Sequence, residues 1–338
     1  MSDPMPSAGA SAASANAPAS TEVNPAYLHD GGLLGASDIR RIAADAGVTP
    51  TKKFGQNFVI DPGTVRRIAH TARIDAASQV MEVGPGLGSL TLALLETGAQ
   101  VTAVEIDPPL AQRLPQTIAE RMPQAAQRLH VINQDALKLN PEITPDLAAA
   151  PAFTLVANLP YNVATPIIIT LLERYPNLEG FVVMVQKEVA DRLTAGPGSK
   201  IYGTPSVKLQ WFGTAEKAGT IGRHVFWPAP NVDSALVKFT RTHVDADAQS
   251  ITERERTFQL IDAAFAQRRK TLNAALKKVL PKQAFTMAGI DASLRGETLS
   301  CEDFRALAHA ADAIASDASR SEQANQSEQT AQQEGGAQ

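Results

Sequence analysis

Four apolar runs between residues 79 and 157 alternate with segments typical of helices, and this alternation constrains the fold more than any other feature. The runs are Gln79–Val83, Gln100–Glu105, Leu129–Asn133 and Phe153–Ala157. Short apolar runs separated by helices predict βαβ units and a parallel sheet. Because ligands of such sheets bind beyond the carboxyl ends of the strands, we expect the functional site in the residues that follow the runs.

The fourth run leads into the polar, rigid segment Asn158-Leu159-Pro160-Tyr161. The Asn158 amide oxygen and a backbone carbonyl held by Pro160 can accept hydrogen bonds from an exocyclic amine, and Tyr161 can stack on a flat ring. These groups suit an adenine held by its N6 amine. The alternative is an ordinary strand-to-helix turn with Asn158 as N-cap, and this segment alone does not decide between the two.

The other three strand ends carry residues that suit a nucleoside. Gly84, Gly86 and Gly88 follow the first strand, and Glu105 ends the second, 21 residues after Gly84, where a carboxylate can accept from ribose hydroxyls. Asp135 follows the third strand and can accept from an adenine amine. Each has a structural alternative, a generic turn for the glycines and a cap for the acids, but their agreement at successive strand ends favours a ligand site.

A segment before the first long strand combines cations, aromatic rings and side-chain amides. Lys52 and Lys53 precede Gln56 and Asn57, and phenylalanines lie between and after them. This composition suits a clamp over a ligand with an edge that faces RNA, and the alternative is an ordered connecting loop. Asp61, followed by proline, predicts the start of an amphipathic helix.

The net charge of the chain, −4, conceals a basic central part. Residues 1–39 and residues 311–338 each carry a net charge of −4, which leaves +4 on residues 40–310. The central part is therefore compatible with a nucleic-acid partner.

Composition limits the class of protein. The apolar content of 44% supports a buried core, and no window approaches 18 apolar residues, so no membrane span is expected. A single cysteine and six scattered histidines predict neither a disulfide framework nor a metal site. No secretory or mitochondrial signal is evident, so a cytoplasmic protein is expected. The apolar-poor ends, 1–36 and 316–338, are predicted to be disordered.

Further strands are predicted at 182–186, 216–221 and 234–239, and from about residue 250 the pattern is wholly helical. Residues 37–245 and 246–315 are therefore expected to form two domains. Phe226 lies in a proline-rich loop and could stack on a base, or it could anchor that loop in the core. A basic helical face is predicted to contact phosphates rather than solvent alone, at Arg268, Arg269 and Lys270.

With these motifs in order, the chain resembles the KsgA/RsmA ribosomal RNA adenine dimethyltransferases over roughly residues 50–315. These are kin of the Erm resistance methylases and of mitochondrial transcription factor B. The residues that carry the resemblance are Lys53–Phe58, Glu82–Gly88, Glu105–Asp107, Gln134–Ala136, Asn158–Asn162, Gln186–Arg192, Phe226–Ser234 and Gln267–Leu272.

The resemblance implies an α/β fold, a Rossmann-like class I methyltransferase with a seven-stranded, mostly parallel sheet and a small C-terminal all-α domain. It implies S-adenosylmethionine as methyl donor without a metal. It places the cofactor on Gln56, Asn57, the backbone at Val59, Gly84, Glu105, Asp135 and Asn158. It places the target base on Asn158, Leu159, Pro160, Tyr161 and Phe226, and the RNA on Lys52, Lys53 and the basic helical face.

The implied reaction is dimethylation of two adjacent adenines in the 3′-terminal hairpin of 16S ribosomal RNA within the small subunit, with a role in subunit biogenesis. We expect a monomer with no membrane partner. The nearest rival is an Erm-like methylase of 23S ribosomal RNA. A rival of another class is a non-catalytic assembly or transcription factor on the same fold, and a DNA adenine methylase fits the segment at Gln56 less well.

Overall fold

The computed structural model describes residues 32–50 and 56–335, with side chains described as far as residue 323. Its strands are β1 (Phe58–Val59), β2 (Gln79–Val83), β3 (Gln100–Glu105), β4 (Leu129–Asn133), β5 (Phe153–Asn158), β6 (Leu178–Gln186), β7 (Gly213–Ile221), β8 (Phe226–Trp227) and β9 (Ser234–Arg241).

Seven of these strands form one sheet in the order β4-β3-β2-β5-β6-β9-β7. The first five in that order run parallel, whereas β9 runs antiparallel to both of its neighbours. Strands β1 and β8 pair separately as a short antiparallel ribbon. Because β2 has β3 on one side and β5 on the other, the strand order reverses at β2, which is where sheets of this kind bind ligands.

Helices connect the strands and extend beyond the sheet. They are α1 (Ala36–Asp45), α2 (Pro62–Thr71), α3 (Ser89–Glu96), α4 (Pro108–Arg121), α5 (Pro145–Ala149), α6 (Ala164–Arg174), α7 (Lys187–Leu193), α8 (Thr204–Phe212), α9 (Ala248–Ala266), α10 (Leu272–Ala275), α11 (Gln283–Met287) and α12 (Cys301–Gly335). Within the described part of the chain, no helix is both long and apolar enough to cross a membrane.

The predicted fold class is confirmed: a Rossmann-like, mostly parallel sheet with a helical C-terminal region. Strands β6 and β7 begin earlier than predicted, at Leu178 and Gly213, because the pairing of β6 with β5 and of β7 with β9 continues through residues of low strand propensity. Helix α1 begins at Ala36. Its N-cap is Gly35, whose N–H donates to Asp38 Oδ2 at 3.1 Å.

Side-chain alternation along the strands builds one hydrophobic core on each face of the sheet. On β5, Leu155 and Ala157 belong to one core and Val156 to the other. The first core also contains Phe258 of α9 and Phe304 of α12, and the helical region packs against α8 on that side of the sheet. The helices α1 to α4 contribute to the core on the opposite face.

The C-terminal helix is longer than expected. Disorder was predicted from residue 316, yet α12 continues to Gly335. The sequence after residue 315 has few apolar residues to bury, which favoured the prediction of disorder. It is rich in Ala, Gln and Glu, however, and the intrinsic helix propensity of these residues explains the extension.

The N-terminal segment of the described chain is fixed by a buried arginine. Arg121, at the end of α4, donates from Nη2 to Asp38 Oδ2 at 2.8 Å and to the carbonyl of Leu33 at 3.0 Å. The side chains of Leu33 and Leu34 are also buried, so the ordered part begins before the predicted boundary at residue 37. This pair holds the residues before α1, and α1 itself, against the sheet domain.

We predict that Arg121→Met lowers the free energy of unfolding by about 3 kcal/mol, because the buried Asp38 carboxylate would lose its closer charged partner and keep Arg41, at 3.8 Å. Urea unfolding measures the change. Arg320→Met is the control, since Arg320 pairs with Asp317 at the surface with 79% of its side chain exposed, and it should remain close to wild type. A loss for Arg121→Met as small as that of the control would contradict the prediction.

Candidate active site

A cavity opens at the carboxyl ends of β2, β3, β4 and β5, where the ligands of parallel α/β sheets bind. Ten of the site residues predicted from sequence line it: Gln56, Asn57, Val59, Gly84, Glu105, Asp135, Asn158, Leu159, Pro160 and Tyr161. The strand ends therefore bring together residues that are as much as 105 positions apart in the chain.

The glycine turn after β2 forms the floor of this cavity. Gly84 has a φ of +72°, in the left-handed region that side chains disfavour. Gly86 is required because there is no space for a side chain: a Cβ there would lie 2.9 Å from the ring of Phe58. The turn therefore lets the backbone approach both a ligand and the segment that follows Asn57.

The Glu105 carboxylate is fixed in the cavity wall by two backbone donors. The N–H of Gly86 donates to Oε2 at 3.1 Å, and that of Asp107 donates to Oε1 at 2.9 Å. Burial raises the pKa of Glu105, and these two hydrogen bonds oppose the shift. Each carboxylate oxygen can accept a further hydrogen bond, so Glu105 is suited to a pair of adjacent hydroxyl groups.

A second acid in the cavity wall, Glu82, differs strongly from Glu105. It is fully buried on β2, and Thr91 Oγ1 donates to its Oε2 at 2.6 Å. Burial raises the pKa of Glu82 to about 8, the hydrogen bond from Thr91 lowers it, and the nearby Glu105 raises it further. Glu82 is therefore mostly neutral at pH 7 and contributes little negative charge to the cavity. Sequence reasoning included Glu82 in a motif without assigning it a role.

Asp135 combines the two roles considered for it. Its Oδ1 accepts from the N–H of Leu137 at 2.9 Å and so caps the short 3₁₀ turn of residues 136–138. Asp135 also lines the cavity beyond β4. The cap holds the carboxylate at the cavity edge, so the structural role and the predicted adenine contact are compatible.

Asn158, at the end of β5, presents a buried acceptor to the cavity. Its Nδ2 donates to the carbonyl of Asn57 at 3.1 Å, which orients the side-chain amide. The other amide atom, Oδ1, is buried and has no hydrogen-bond partner among the residues that the structure describes. An unsatisfied buried acceptor costs about 1–3 kcal/mol, so such an atom in a cavity wall indicates where a ligand donor would bind.

The next three residues are held by the backbone and by a side-chain contact. The N–H of Leu159 donates to the carbonyl of Met184 at 3.0 Å, and the Leu159 side chain is buried, so its carbonyl is the group left for a ligand. Pro160 accepts from the N–H of Val163 at 3.2 Å, which closes the turn. The Tyr161 hydroxyl lies 2.9 Å from Ser234 Oγ.

The segment that begins at Gln56 lines the cavity and is attached to the residues that follow β3. Gln56 Nε2 donates to Asp107 Oδ2 at 2.8 Å, and the carbonyl of Val59 accepts from Ser89 Oγ at 2.6 Å. Asp107 is the N-cap residue of α4, but its side chain makes no capping hydrogen bond within the described part of the chain.

Ile106 is a cavity residue that sequence reasoning missed. It follows Glu105 directly, lines the cavity and has 45% of its side chain exposed. An exposed branched side chain beside a ribose acceptor offers an apolar surface to an aromatic ring. One feature of the sequence could have indicated this role. Ile106 is a large apolar residue directly after an acid at a strand end, where a turn usually has a polar residue.

Phe226 does not lie in the cavity. It was predicted to be able to stack on a target base, but only 3% of it is exposed. It pairs with Val59 in the ribbon of β1 and β8 and belongs to the core on the α1 side of the sheet. In the described conformation Phe226 therefore anchors the loop, which was the alternative considered.

Only some of the side chains predicted to contact RNA are exposed and able to bind a phosphate group. Lys52 and Lys53 lie outside the described residues. Arg268 pairs with Glu297 at 2.9 Å and donates to the carbonyl of Lys200 at 2.6 Å, so it links α9 to the loop before α8. Arg269 and Lys270 are exposed.

The fold and the cavity are those of a class I, S-adenosylmethionine-dependent methyltransferase. The sequence profile named ribosomal RNA adenine dimethylase matches residues 48–312. The chain belongs to the ribosomal RNA adenine dimethylase family.

Similar proteins agree with this assignment. The ribosomal RNA small subunit methyltransferase A of Bifidobacterium longum strain DJO10A is 69% identical over 288 residues, covering 83% of this chain and 94% of the relative. The protein of the same name from Streptomyces griseus is 52% identical over 281 residues, covering 82% and 94%.

Two solved structures share the fold. The 23S ribosomal RNA methyltransferase ErmE is 27% identical with a TM-score of 0.56, covering 76% of this chain and 100% of that one. A dimethyladenosine transferase from Plasmodium falciparum is 25% identical with a TM-score of 0.59, covering 74% and 95%.

We predict that Glu82→Gln is stabilising relative to wild type, and increasingly so as the pH rises from about 5 to 8. Because the folded-state pKa is raised from 4.5 to about 8, the neutral Glu82 favours the folded state fully below pH 4.5, and this contribution is lost as the pH rises to about 8. The loss is at most about 1.4 kcal/mol per pH unit.

Thermal unfolding across this pH range measures the effect. Glu216→Gln serves as a control, because 70% of the Glu216 side chain is exposed. A difference between Glu82→Gln and wild type that is the same at pH 5 and pH 8 would rule out a neutral Glu82.

Proposed function

We propose that this protein transfers methyl groups from S-adenosylmethionine to the N6 amines of two adjacent adenines in the 3′-terminal hairpin of 16S ribosomal RNA. The observation that carries the proposal is the buried Asn158 Oδ1. This atom has no hydrogen-bond partner among the described residues, and Asn158 lines the cavity. Its complement is a hydrogen-bond donor, which the exocyclic amine of adenine provides.

The described residues fit the methyl donor. Glu105 offers two oxygens to the ribose hydroxyls, Ile106 an apolar surface to the adenine, and the turn at Gly84 a close backbone approach to the methionine part. Asp135 lies at the cavity edge, where it can accept from the adenine amine. When bound, S-adenosylmethionine supplies an electrophilic methyl group, and the protein supplies orientation and electrostatics.

The target amine is a weak nucleophile because its lone pair is delocalised into the adenine ring. Asn158 Oδ1 and the Leu159 carbonyl accept its two hydrogens and favour a pyramidal nitrogen with a localised lone pair. Tyr161 holds the ring plane, so the nitrogen is presented in one orientation. After transfer the nitrogen is acidic, and its proton can leave to water without a dedicated base.

The small-subunit substrate follows from the degree of similarity. The relatives named small subunit methyltransferase A reach 69% identity, against 27% for ErmE. We propose a monomer that acts in the cytoplasm on assembling small subunits. Exposed lysines and arginines near the end of α9 and after α10 would contact the phosphate backbone, at Arg269, Lys270, Lys277 and Lys278.

We predict that Asn158→Ala lowers the rate of methyl transfer at least about 100-fold, because an acceptor that orients the nucleophile is lost. Binding of S-adenosylmethionine, measured by calorimetry, should remain detectable, since Glu105 and the glycine turn are intact. The rate is measured as N6,N6-dimethyladenosine formed in undermethylated small subunits, by mass spectrometry of nucleosides. Full activity in Asn158→Ala would remove this residue from the mechanism.

The same assay separates the rival functions. Methylation of naked 23S ribosomal RNA in preference to small subunits would favour the Erm-like activity. Absence of dimethyladenosine with wild-type protein on either substrate would leave the non-catalytic factor, which predicts that Asn158→Ala still restores subunit maturation in cells.

We predict that Arg269→Ala combined with Lys270→Ala weakens RNA binding several-fold. The slope of log affinity against log salt should become shallower by about 0.7–0.9 for each phosphate contact removed. Filter binding at several salt concentrations measures both quantities. Arg320→Ala, on the distal part of α12, is the matched control for loss of an exposed cation. An unchanged salt slope would show that this face is only solvated.

A further inference from the structure

The hydroxyl of Tyr161 is bound to a residue that no part of the proposed reaction uses. Ser234 is fully buried at the start of β9, and its Oγ lies 2.9 Å from the Tyr161 hydroxyl oxygen. In the sheet, Ser234 pairs with Gln186 of β6 on one side and with Ile221 of β7 on the other. The serine therefore has little freedom to move, and the contact fixes the tyrosine hydroxyl to the sheet.

The other end of Tyr161 is fixed as well. The residue follows the turn that the Leu159 N–H and the Pro160 carbonyl hold through backbone hydrogen bonds of 3.0 and 3.2 Å. A tyrosine held at Cα and at its hydroxyl cannot rotate freely about χ1. Its ring therefore keeps one position. Tyr161 is only partly buried, and it lines the same cavity as Asn158.

The Tyr161 hydroxyl is not suited to acid–base chemistry. Burial raises the pKa of Tyr161, and the hydrogen bond with Ser234 only partly opposes this shift. The hydroxyl is also occupied by Ser234. What Tyr161 offers to a ligand is therefore the face of its ring.

We propose that Ser234 is a positioning residue for methyl transfer, which holds the Tyr161 ring where the target adenine stacks. The inference rests on the proposed function, since it needs an adenine in the cavity. It adds a residue of the antiparallel strand β9 to a site whose other members lie on or beside the parallel strands and in the segment of β1.

The hydrogen bond can be removed from either side. Tyr161→Phe keeps the aromatic ring and leaves β9 unchanged, whereas Ser234→Ala keeps the tyrosine. Each variant should lower kcat on undermethylated small subunits about tenfold, because a misplaced ring misplaces the nucleophile. The KM for the subunit and the affinity for S-adenosylmethionine should stay within about twofold of wild type.

The double variant tests whether the two residues act as a unit. Removing both partners should cost no more than removing one, since the same contact is lost. Multiplied effects in the double variant, a change in KM alone, or an unchanged kcat in both single variants would each overturn the proposal.

A spectroscopic arm reports on stacking itself. An RNA with 8-vinyladenine, a fluorescent analogue that keeps the N6 amine, at the target position should show stronger fluorescence with Tyr161→Phe or Ser234→Ala than with wild type, because stacking on the ring quenches the probe. Equal fluorescence with all three proteins would also overturn the proposal.

Thr144→Val is the matched control, because Thr144 Oγ1 makes a buried hydrogen bond of 2.7 Å with the hydroxyl of Tyr175, away from the cavity. This variant should lose stability without a change in kcat below its unfolding temperature. If kcat falls equally in Thr144→Val, the effect of Ser234→Ala is a general consequence of core damage. Absence of dimethyladenosine with wild-type protein would contradict the proposed function, whereas full activity of both site variants would contradict only the role of Ser234.

Discussion

The hydrogen bond from Asn158 to the carbonyl of Asn57 is the interaction on which the site depends. It determines which amide atom faces the cavity, and so converts a side chain that could donate or accept into a fixed acceptor. The contact joins residues 101 positions apart, so it forms only when the chain before β1 has closed over the end of β5. The unsatisfied acceptor is a cost to folding, and it is retained where a ligand donor can compensate it.

Helix α4 supports this closure from both of its ends. Asp107, at its N-terminus, accepts from Gln56, next to Asn57, and Arg121, in its last turn, holds the residues that precede α1. Helix α4 therefore positions both the residues that precede α1 and the start of the segment that covers the cavity. Since α4 follows β3, the strand end that carries Glu105 and the segment that covers the cavity are placed by one element.

The site residues at the strand ends could be predicted from sequence, because the order of parallel strands in the chain indicates which residues lie at the same edge of the sheet. Gly84, Glu105, Asp135 and Asn158 each follow a run of apolar residues, and the carboxyl ends of parallel strands meet at one edge. The position of Phe226 could not be predicted in the same way, because its burial depends on pairing between β1 and β8, two strands of two residues each. Such short strands have no periodicity to detect.

The other features that the sequence did not predict have separate physical causes. Ser234 is an ordinary small residue whose importance depends on a contact across the sheet, and Ile106 has the wrong polarity for a turn. The length of α12 depends on intrinsic helix propensity, which a search for buried faces does not register.

The antiparallel direction of β9 has a consequence for how the sheet is used. Because β9 runs opposite to β6, its beginning and not its end lies at the ligand edge, so the loop of residues 222–233 faces the same side as the turns after β2 and β5. Of the seven strands of the sheet, β9 alone begins at this edge, whereas the other six end there. The first residue of β9, Ser234, can therefore reach the hydroxyl of Tyr161, which follows the end of β5.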